Sequence, residues 1–363
     1  MPKTDKLEIR EIEVPGYEKV IEATNHEAGL HCFIAIHNTS LGPALGGTRI
    51  YLYRTDEEAL ADALRLAKAM TYKSALAETG FGGGKAVIFA SHSKMKSEKL
   101  LLAFGEVVNH LEGRYIAAED VGSSVHDLLV ISRKTPFVAA LPTGKSSGDP
   151  ARFTAWGVFK GMKAVAKTLW GTESLSGKRI AIQGLGHVGS HLARHLFWEG
   201  ADLVFTDLDP QQMSDLGRIY EAEIVSPDKI YSVECDIFSP CAMGGSLNDE
   251  TIPKLRCAAV AGSANNQLFE PHYGEELMDR GILYAPDFVI NAGGIINAAG
   301  EFDEEGYSPK NALRRTNKIF DTLMSIFDTA QKEGKSTVDV ALDLAEYKLS
   351  RGIGKRRKAI KFK

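Results

Sequence analysis

Cysteine is scarce in this 363-residue chain. The four present, Cys32, Cys235, Cys241 and Cys257, are too few and too scattered for a disulfide framework, and their spacing matches no paired CxxC zinc pattern. They read as reduced core thiols of a cytoplasmic protein. No window reaches ~18 uninterrupted apolar residues, so no membrane helix is expected. The opening MPKTDK lacks the apolar stretch of a secretory leader. Neither a repeat of about 20–50 residues nor a low-complexity tract occurs. Strong positive charge is also missing. The net charge is −4, and seven Lys/Arg without any acid fall within residues 351–363, which leaves the body more acidic still. Such a body argues against nucleic acid as the main partner, and the basic end reads as a solvated face or a frayed terminus.

What is present fits a soluble enzyme-sized protein. Apolar residues are 44% and charged residues 25%, and at ~100–200 residues per domain the length suggests two domains, or three. Residues 33–37 (FIAIH) and 86–90 (AVIFA) read as short buried strands. Between them Thr55-Asp56-Glu57-Glu58 fits a capping box, followed by Leu60, Leu64, Ala67 and Met70 at helical spacing. A helix over 99–111 and a strand over 115–117 follow. The run PTGKSSGDPA at 142–151 is the best hinge candidate. After it Thr154 is placed to cap a helix, and strands and helices then alternate to about residue 290, which predicts a parallel sheet covered by helices. Helices over 313–331 and 338–349 close the chain. The expected fold is α/β with two domains: residues 1–143 and 335–363 form an N-terminal mixed α/β domain, to which the last helix returns, and residues 144–334 form a Rossmann-type dinucleotide-binding domain.

The sharpest motif is KRIAIQGLGHVG at 178–189. A strand runs straight into Gly184-Leu185-Gly186-His187-Val188-Gly189, and a helical stretch follows. Gly184 makes the tight turn, Gly186 lets backbone approach a pyrophosphate, and Gly189 lets the helix pack on the strand. The pyrophosphate then sits at a helix N-terminus, where free amides and the dipole favour negative charge. The next strand ends at Asp207, 23 residues after Gly184, where a carboxylate can accept from both ribose hydroxyls. No Arg or Lys stands at 207–209 to receive a 2′-phosphate, so NAD is favoured over NADP. His187 reads as a helix-start surface residue. The other glycine run, Gly82-Gly83-Gly84-Lys85, fails as a phosphate loop, because Thr79 and Ala86 stand where Walker A needs Gly and Ser/Thr. Instead, glycines beside a lysine allow close approach to its amine. Lys73, Lys85 and Asp120 together with NAD suggest an oxidoreductase that needs proton transfer. No His/Cys/Asp cluster has metal-ligand spacing, and no catalytic metal is expected.

Six ordered segments carry a resemblance: GPALGGTR at 42–49, MTYK at 70–73, GGGK at 82–85, AEDVG at 118–122, GSANNQ at 262–267 and DFVINAGG at 287–294. Together they are similar to the glutamate/leucine/phenylalanine/valine dehydrogenase family, and within it to the leucine dehydrogenases, over about residues 30 to 350. The resemblance implies NAD(P)-dependent oxidative deamination of an L-amino acid to a 2-oxo acid and ammonia, and the reverse. It makes Lys85 the catalytic lysine, Asp120 the proton-transferring carboxylate and Lys73 the partner of the substrate α-carboxylate. Gly46 and Asn291 would contact substrate, with Asn266 and Thr154 on the nicotinamide side. It further implies a homo-oligomer and two domains that open and close about a hinge.

Glutamate dehydrogenases carry a lysine where Leu45 stands, so a second carboxylate would be buried unpaired here. The side-chain pocket implied by the resemblance is Leu45, Ala118, Ile295 and Ala298, all apolar and suited to Leu, Val or Ile. Leucine enzymes usually show Val at both of the last two positions; here one residue is larger and one smaller, and a methylene's misfit is worth only about 1–3 kcal/mol. Phenylalanine or tryptophan is therefore the alternative substrate, and a non-catalytic NAD-binding regulator the alternative from another class.

Overall fold

The computed structural model describes residues 7–89, 96–141, 146–360 and 362. It forms two compact units. One comprises Met1–Gly148, Ala298–Ser308 and Glu346–Lys363, the other Asp149–Asn297 and Pro309–Ala345. The division thus falls at Gly148/Asp149 instead of 143/144, and Ala298–Ser308 groups with the first unit. The first four positions of the hinge candidate, 142–145, lie outside the described residues, as does residue 90 of the second expected strand.

The first unit contains β1 (Glu8–Glu11), β2 (Lys19–Asn25), β3 (Leu30–Asn38), β4 (Ala44–Tyr51), α1 (Asp56–Leu76), β5 (Gly82–Phe89), α2 (Glu98–His110), β6 (Tyr115–Glu119) and α3 (Val125–Ser132). Its sheet runs β1-β2-β3-β5-β4-β6, with β3 antiparallel to β5 and with β4 parallel to both β5 and β6. Alternation along each strand sorts the side chains onto two faces. Ile34, Ile36, Ala86, Ile88 and Tyr115 pack with Leu100, Phe104, Val107 and Leu128 of α2 and α3 on one face. Phe33, Ala35 and Val87 pack on the other against Ala59, Ala63 and Ala67 of α1. These small residues let α1 lie close to the sheet, and a Cβ on Gly83 would come within 2.1 Å of the Thr71 backbone nitrogen.

The second unit opens with α4 (Ala151–Trp170) and continues through β7 (Arg179–Gln183), α5 (His187–Trp198), β8 (Asp202–Thr206), α6 (Pro210–Tyr220), β9 (Glu223–Ile224), β10 (Glu234–Pro240), β11 (Arg256–Val260), α7 (Tyr273–Asp279), β12 (Leu283–Tyr284), α8 (Asp287–Ile290), α9 (Gly293–Ala299) as far as Asn297, α10 (Pro309–Glu333) and α11 (Thr337–Arg351) as far as Ala345. Every described strand pairing is parallel, in the order β12-β11-β10-β7-β8-β9. From β9 backwards this is the 3-2-1-4-5-6 order of a dinucleotide-binding sheet, in which strand order reverses between β7 and β10. The glycine turn follows β7.

Three local expectations need correction. Thr154 does not cap α4. Pro150 occupies that position, and Thr154 lies in the first turn with its hydroxyl donating to the Pro150 carbonyl at 3.1 Å. Only half of the expected capping box forms. Thr55 accepts from the Glu58 amide at 3.2 Å, while the Glu58 carboxylate reaches past the cap to the Arg54 amide at 2.8 Å. The basic end is not frayed through the described residues. Arg356 donates to the carbonyls of Gly80 (3.2 Å) and Phe302 (2.8 Å), and its guanidinium lies 4.5 Å from the Phe81 ring centre. Lys358 pairs with Glu304 at 2.7 Å. Lys361 and Lys363 lie outside the described residues.

Candidate active site

The first unit builds its polar centre on the sheet face that α1 covers. On β4, Leu45, Gly47 and Arg49 share that face by alternation, as do Gly83, Lys85 and Val87 on β5. Register aligns Leu45 with Gly83, Arg49 with Val87, and Gly47 with Ala118 of β6. Asp120 follows the end of β6 and returns its carboxylate to the Lys85 amine, with which it forms an ion pair. The side chains are 7% and 13% exposed, so the pair lies in a low-dielectric setting where its attraction is strong. Room for it exists because position 47 has no side chain. A Cβ there would stand 3.1 Å from Lys85 Nζ. Gly46 serves the backbone instead: a Cβ would meet the Gly84 carbonyl at 1.7 Å, and the Gly46 carbonyl accepts from the Tyr115 hydroxyl at 2.8 Å.

A second cation faces the same carboxylate. Arg49 Nε lies 3.5 Å from Asp120 Oδ2, and Arg49 Nη1 donates to Asp62 Oδ2 at 2.8 Å. Asp62 also accepts from the Tyr53 hydroxyl at 2.6 Å and from Arg65 at 2.7 Å. Burial pushes the Lys85 amine below the ordinary lysine range; Arg49 acts in the same direction, and Asp120 opposes both. Burial alone would raise the Asp120 carboxyl, but the Lys85 and Arg49 cations outweigh it and hold that group below the usual carboxylate range. The result is a buried carboxylate that stays ionised beside an amine predisposed to lose its proton.

Around this pair Leu45 is fully buried and Ala118 half-buried. Lys73 is half-buried in the last turn of α1, two residues beyond the Thr71 that packs on Gly83. Ala298 is buried on α9.

In the second unit the three motif glycines differ in their surroundings. Gly184 takes a positive φ of 98°, and a Cβ on Gly189 would come within 2.0 Å of the Gly184 carbonyl. Gly186 has no neighbour within 4 Å of a Cβ position, so the turn is open on that side, at the start of α5. Open space beside an uncapped helix N-terminus suits a pyrophosphate. Leu185 is buried, Val188 half-buried and His187 exposed. Asp207 accepts from the amides of Leu185 and Asp209, which ties the end of β8 to the turn; a carboxylate retains further acceptor sites for ribose hydroxyls.

The segment 291–294 is pressed against the start of α4. A Cβ on Gly293 would meet the Phe153 carbonyl at 1.9 Å, and one on Gly294 would lie 2.8 Å from the Thr154 hydroxyl oxygen. Gly294 and Thr154 are thus brought together. The Asn291 amide nitrogen donates to the Ser263 carbonyl at 3.0 Å and to Asn265 Oδ1 at 2.9 Å, which leaves its buried Oδ1 without a donor among the described residues. A buried acceptor left over is where a ligand N–H or O–H is wanted. Asn266 adopts a left-handed φ of 51°, and its amide donates to Asp287. Ile295 is half-buried.

Two residues of the centre were not singled out from sequence. Paired glycines inside a strand signal close approach, and Gly47 is legible that way. Arg49 ends the GPALGGTR motif, but nothing in its spacing announces Asp62 as partner. Glu22, His31 and Asp56 form a cluster whose ligand atoms lie within 4.8 Å of one another; Glu22 there already pairs with Arg10 and His31. These positions are far apart in sequence and show no ligand spacing.

Comparison with known proteins agrees with this architecture. Residues 18–136 match the family model described as the Glu/Leu/Phe/Val dehydrogenase dimerisation domain, and residues 205–351 the Glutamate/Leucine/Phenylalanine/Valine dehydrogenase model. A leucine dehydrogenase of Bacillus cereus is 48% identical over 95% of this chain and 94% of its own length. One of Geobacillus stearothermophilus is 47% identical, over 93% and 92%. The crystal structure of L-tryptophan dehydrogenase from Nostoc punctiforme superposes with a TM-score of 0.81 at 43% identity, covering 93% of this chain and 97% of that one. The chain belongs to the Glu/Leu/Phe/Val dehydrogenase family, whose members are pyridine-nucleotide-dependent amino-acid dehydrogenases.

Proposed function

We propose that this protein catalyses the reversible, NAD-dependent oxidative deamination of a branched-chain L-amino acid, leucine foremost with valine and isoleucine, to the 2-oxo acid and ammonia. The observation that carries the reading is the buried Lys85–Asp120 ion pair next to the apolar Leu45. The balanced reaction takes amino acid, NAD+ and water to 2-oxo acid, ammonium, NADH and one proton. Bound nicotinamide supplies the acceptor for the α-hydrogen and its electron pair.

The chain's own residues handle the rest. Lys73, as a cation, holds the substrate α-carboxylate through a charge-assisted bond and so sets its register. Lys85, in its neutral form, takes a proton from the water that adds to the substrate's α-carbon imine. Asp120 relays a proton to the departing nitrogen, so that ammonia leaves as the carbonyl forms. In the second unit Asn291 Oδ1 offers an acceptor to substrate, and Asn266 and Thr154 flank the nicotinamide. Gly184–Gly189 would hold the pyrophosphate and Asp207 the ribose. The acid at 207, with no cation at 207–209, supports NAD as the coenzyme.

Leu45, Ala118, Ile295 and Ala298 leave no charge to meet a side-chain carboxylate, which supports an apolar substrate. The small Ala298 and the likeness to L-tryptophan dehydrogenase favour an aromatic amino acid as the second reading. The match to a dimerisation domain supports a homo-oligomer. Four free cysteines, with Cys235 raised by burial to about 12 and Cys257 to about 11, suit a reducing, cytoplasmic location. No helix among the described residues is long and apolar enough to cross a membrane.

The test is NADH absorbance with L-Leu, L-Val, L-Ile, L-Phe, L-Trp and L-Glu, each with NAD and with NADP. The branched-chain substrates with NAD should give the highest kcat/KM. Higher values for Phe or Trp would select the second reading, and no turnover with any substrate would leave a coenzyme-binding regulator.

A further inference from the structure

We infer that Arg49 is a positioning residue for the proposed deamination, a permanent counter-ion that keeps the Asp120 carboxylate ionised and in place while Lys85 is neutral. The inference rests on the role proposed for Lys85. Its need follows from the chemistry. Lys85 has to surrender its proton during the cycle, and at that moment a buried carboxylate loses the cation beside it, which is strongly unfavourable unless another charge remains. Arg49 is that charge. A guanidinium does not deprotonate in proteins, so it stays positive when Lys85 does not.

The geometry fits this part. The Asp120 oxygen that faces Lys85, Oδ2, is the one 3.5 Å from Arg49 Nε. Arg49 Nε has no hydrogen-bond partner among the described residues, so its donor is in reserve for that oxygen. The guanidinium is anchored at its other end, through Nη1 to Asp62 at 2.8 Å. Asp62 is itself fixed by Tyr53 and Arg65. The Arg49 and Asp62 side chains are 17% and 14% exposed, so the clamp has little freedom to swing away.

The charged groups that act on Lys85 include Asp62 from α1, Arg49 from β4 and Asp120 from the end of β6. Arg49 makes the protonated Lys85 less favourable, whereas Asp120 and Asp62 favour it. Replacing Arg49 and replacing Asp62 should therefore move Lys85 in opposite directions, which a purely architectural role for the clamp would not do.

The experiment is kcat/KM against pH for L-leucine and NAD in wild type, Arg49→Met, Arg49→Lys and Asp62→Asn, with thermal unfolding of each. The substrate amine titrates alike in all four. In Arg49→Met the limb that requires neutral Lys85 should move up by about one pH unit, a tenfold loss at fixed pH on that limb. Arg49→Lys should keep the limb within about half a unit, because the charge is retained. Asp62→Asn should move it down. Should Arg49→Met fail to fold, the last two variants decide the matter alone. A limb that stays put in Asp62→Asn, or in a folded Arg49→Met whose activity falls equally at every pH, overturns the inference. Wild-type protein that is inactive on every amino acid overturns the proposed function instead.

Discussion

A Cβ on Gly47 would stand 2.7 Å from the Cβ of Asp120. Strand β4 therefore spends a backbone-weakening glycine to make room for the ion pair above it. Gly47→Ala should displace Asp120 and Lys85 while the sheet survives, lowering kcat by roughly 100-fold, since small misplacements at a reacting centre are costly. Gly46→Ala should behave differently. The obstacle there is the Gly84 carbonyl at 1.7 Å, backbone that cannot rotate aside, so soluble protein should be lost. Circular dichroism and kcat for both variants separate the two roles; a fully active Gly47→Ala would contradict the first.

Asp62 and Asp120 both ionise below their ordinary range, because their hydrogen-bonding and cationic neighbours outweigh the opposing effect of burial. Each contributes stability that is complete above the unfolded-chain value of about 4 and is lost as pH falls through the lower native value. Between those values the unfolded chain holds more protons than the folded one. The urea midpoint should thus fall as pH drops below about 4, and fall less steeply in Asp62→Asn. Equal slopes would contradict this.

Asp207 joins β8 to the glycine turn through the Leu185 amide. Asp207→Ala should raise the KM for NAD by tenfold or more, by roughly the loss of one or two hydrogen bonds to a charged group, and should narrow the preference over NADP. Unchanged coenzyme kinetics would show that the carboxylate serves only the turn.

Arg356 donates to the carbonyls of Gly80 and Phe302. Its backbone amide also donates to the Leu41 carbonyl at 2.8 Å. Arg356→Ala should lower Tm by roughly 3–8 °C, the effect of two lost hydrogen bonds and a ring contact. An unaltered Tm would mean that the basic end is decorative.

Much of this was legible in the sequence, for reasons that can be named. The glycine turn, β8 and Asp207 follow from short-range patterning, and parts of β3, β5 and β6 from short apolar runs, whereas β4 (ALGGTRIY) was missed because paired glycines and Arg49 interrupt its apolar residues. Strand β1 (EIRE) escaped because three of its four residues are charged and it lies at a sheet edge. Helix α3 escaped because it is eight residues long and its capping box uses Asp127 in place of Glu or Gln. The anchoring of Arg356 depends on residues more than 50 positions away, and so does not appear in any local window. The Arg49–Asp62 contact joins a strand to a helix through side chains alone, which periodicity does not record.

The central claim is that the Lys85 amine, paired with Asp120, carries the proton chemistry of deamination. Steady-state turnover of L-leucine by Lys85→Ala, alongside NADH binding followed by fluorescence, tests it most directly. Turnover should fall by about 100- to 10,000-fold, the usual worth of a general base, while NADH affinity stays within about twofold. Near-normal kcat in a variant that binds NADH would contradict the account.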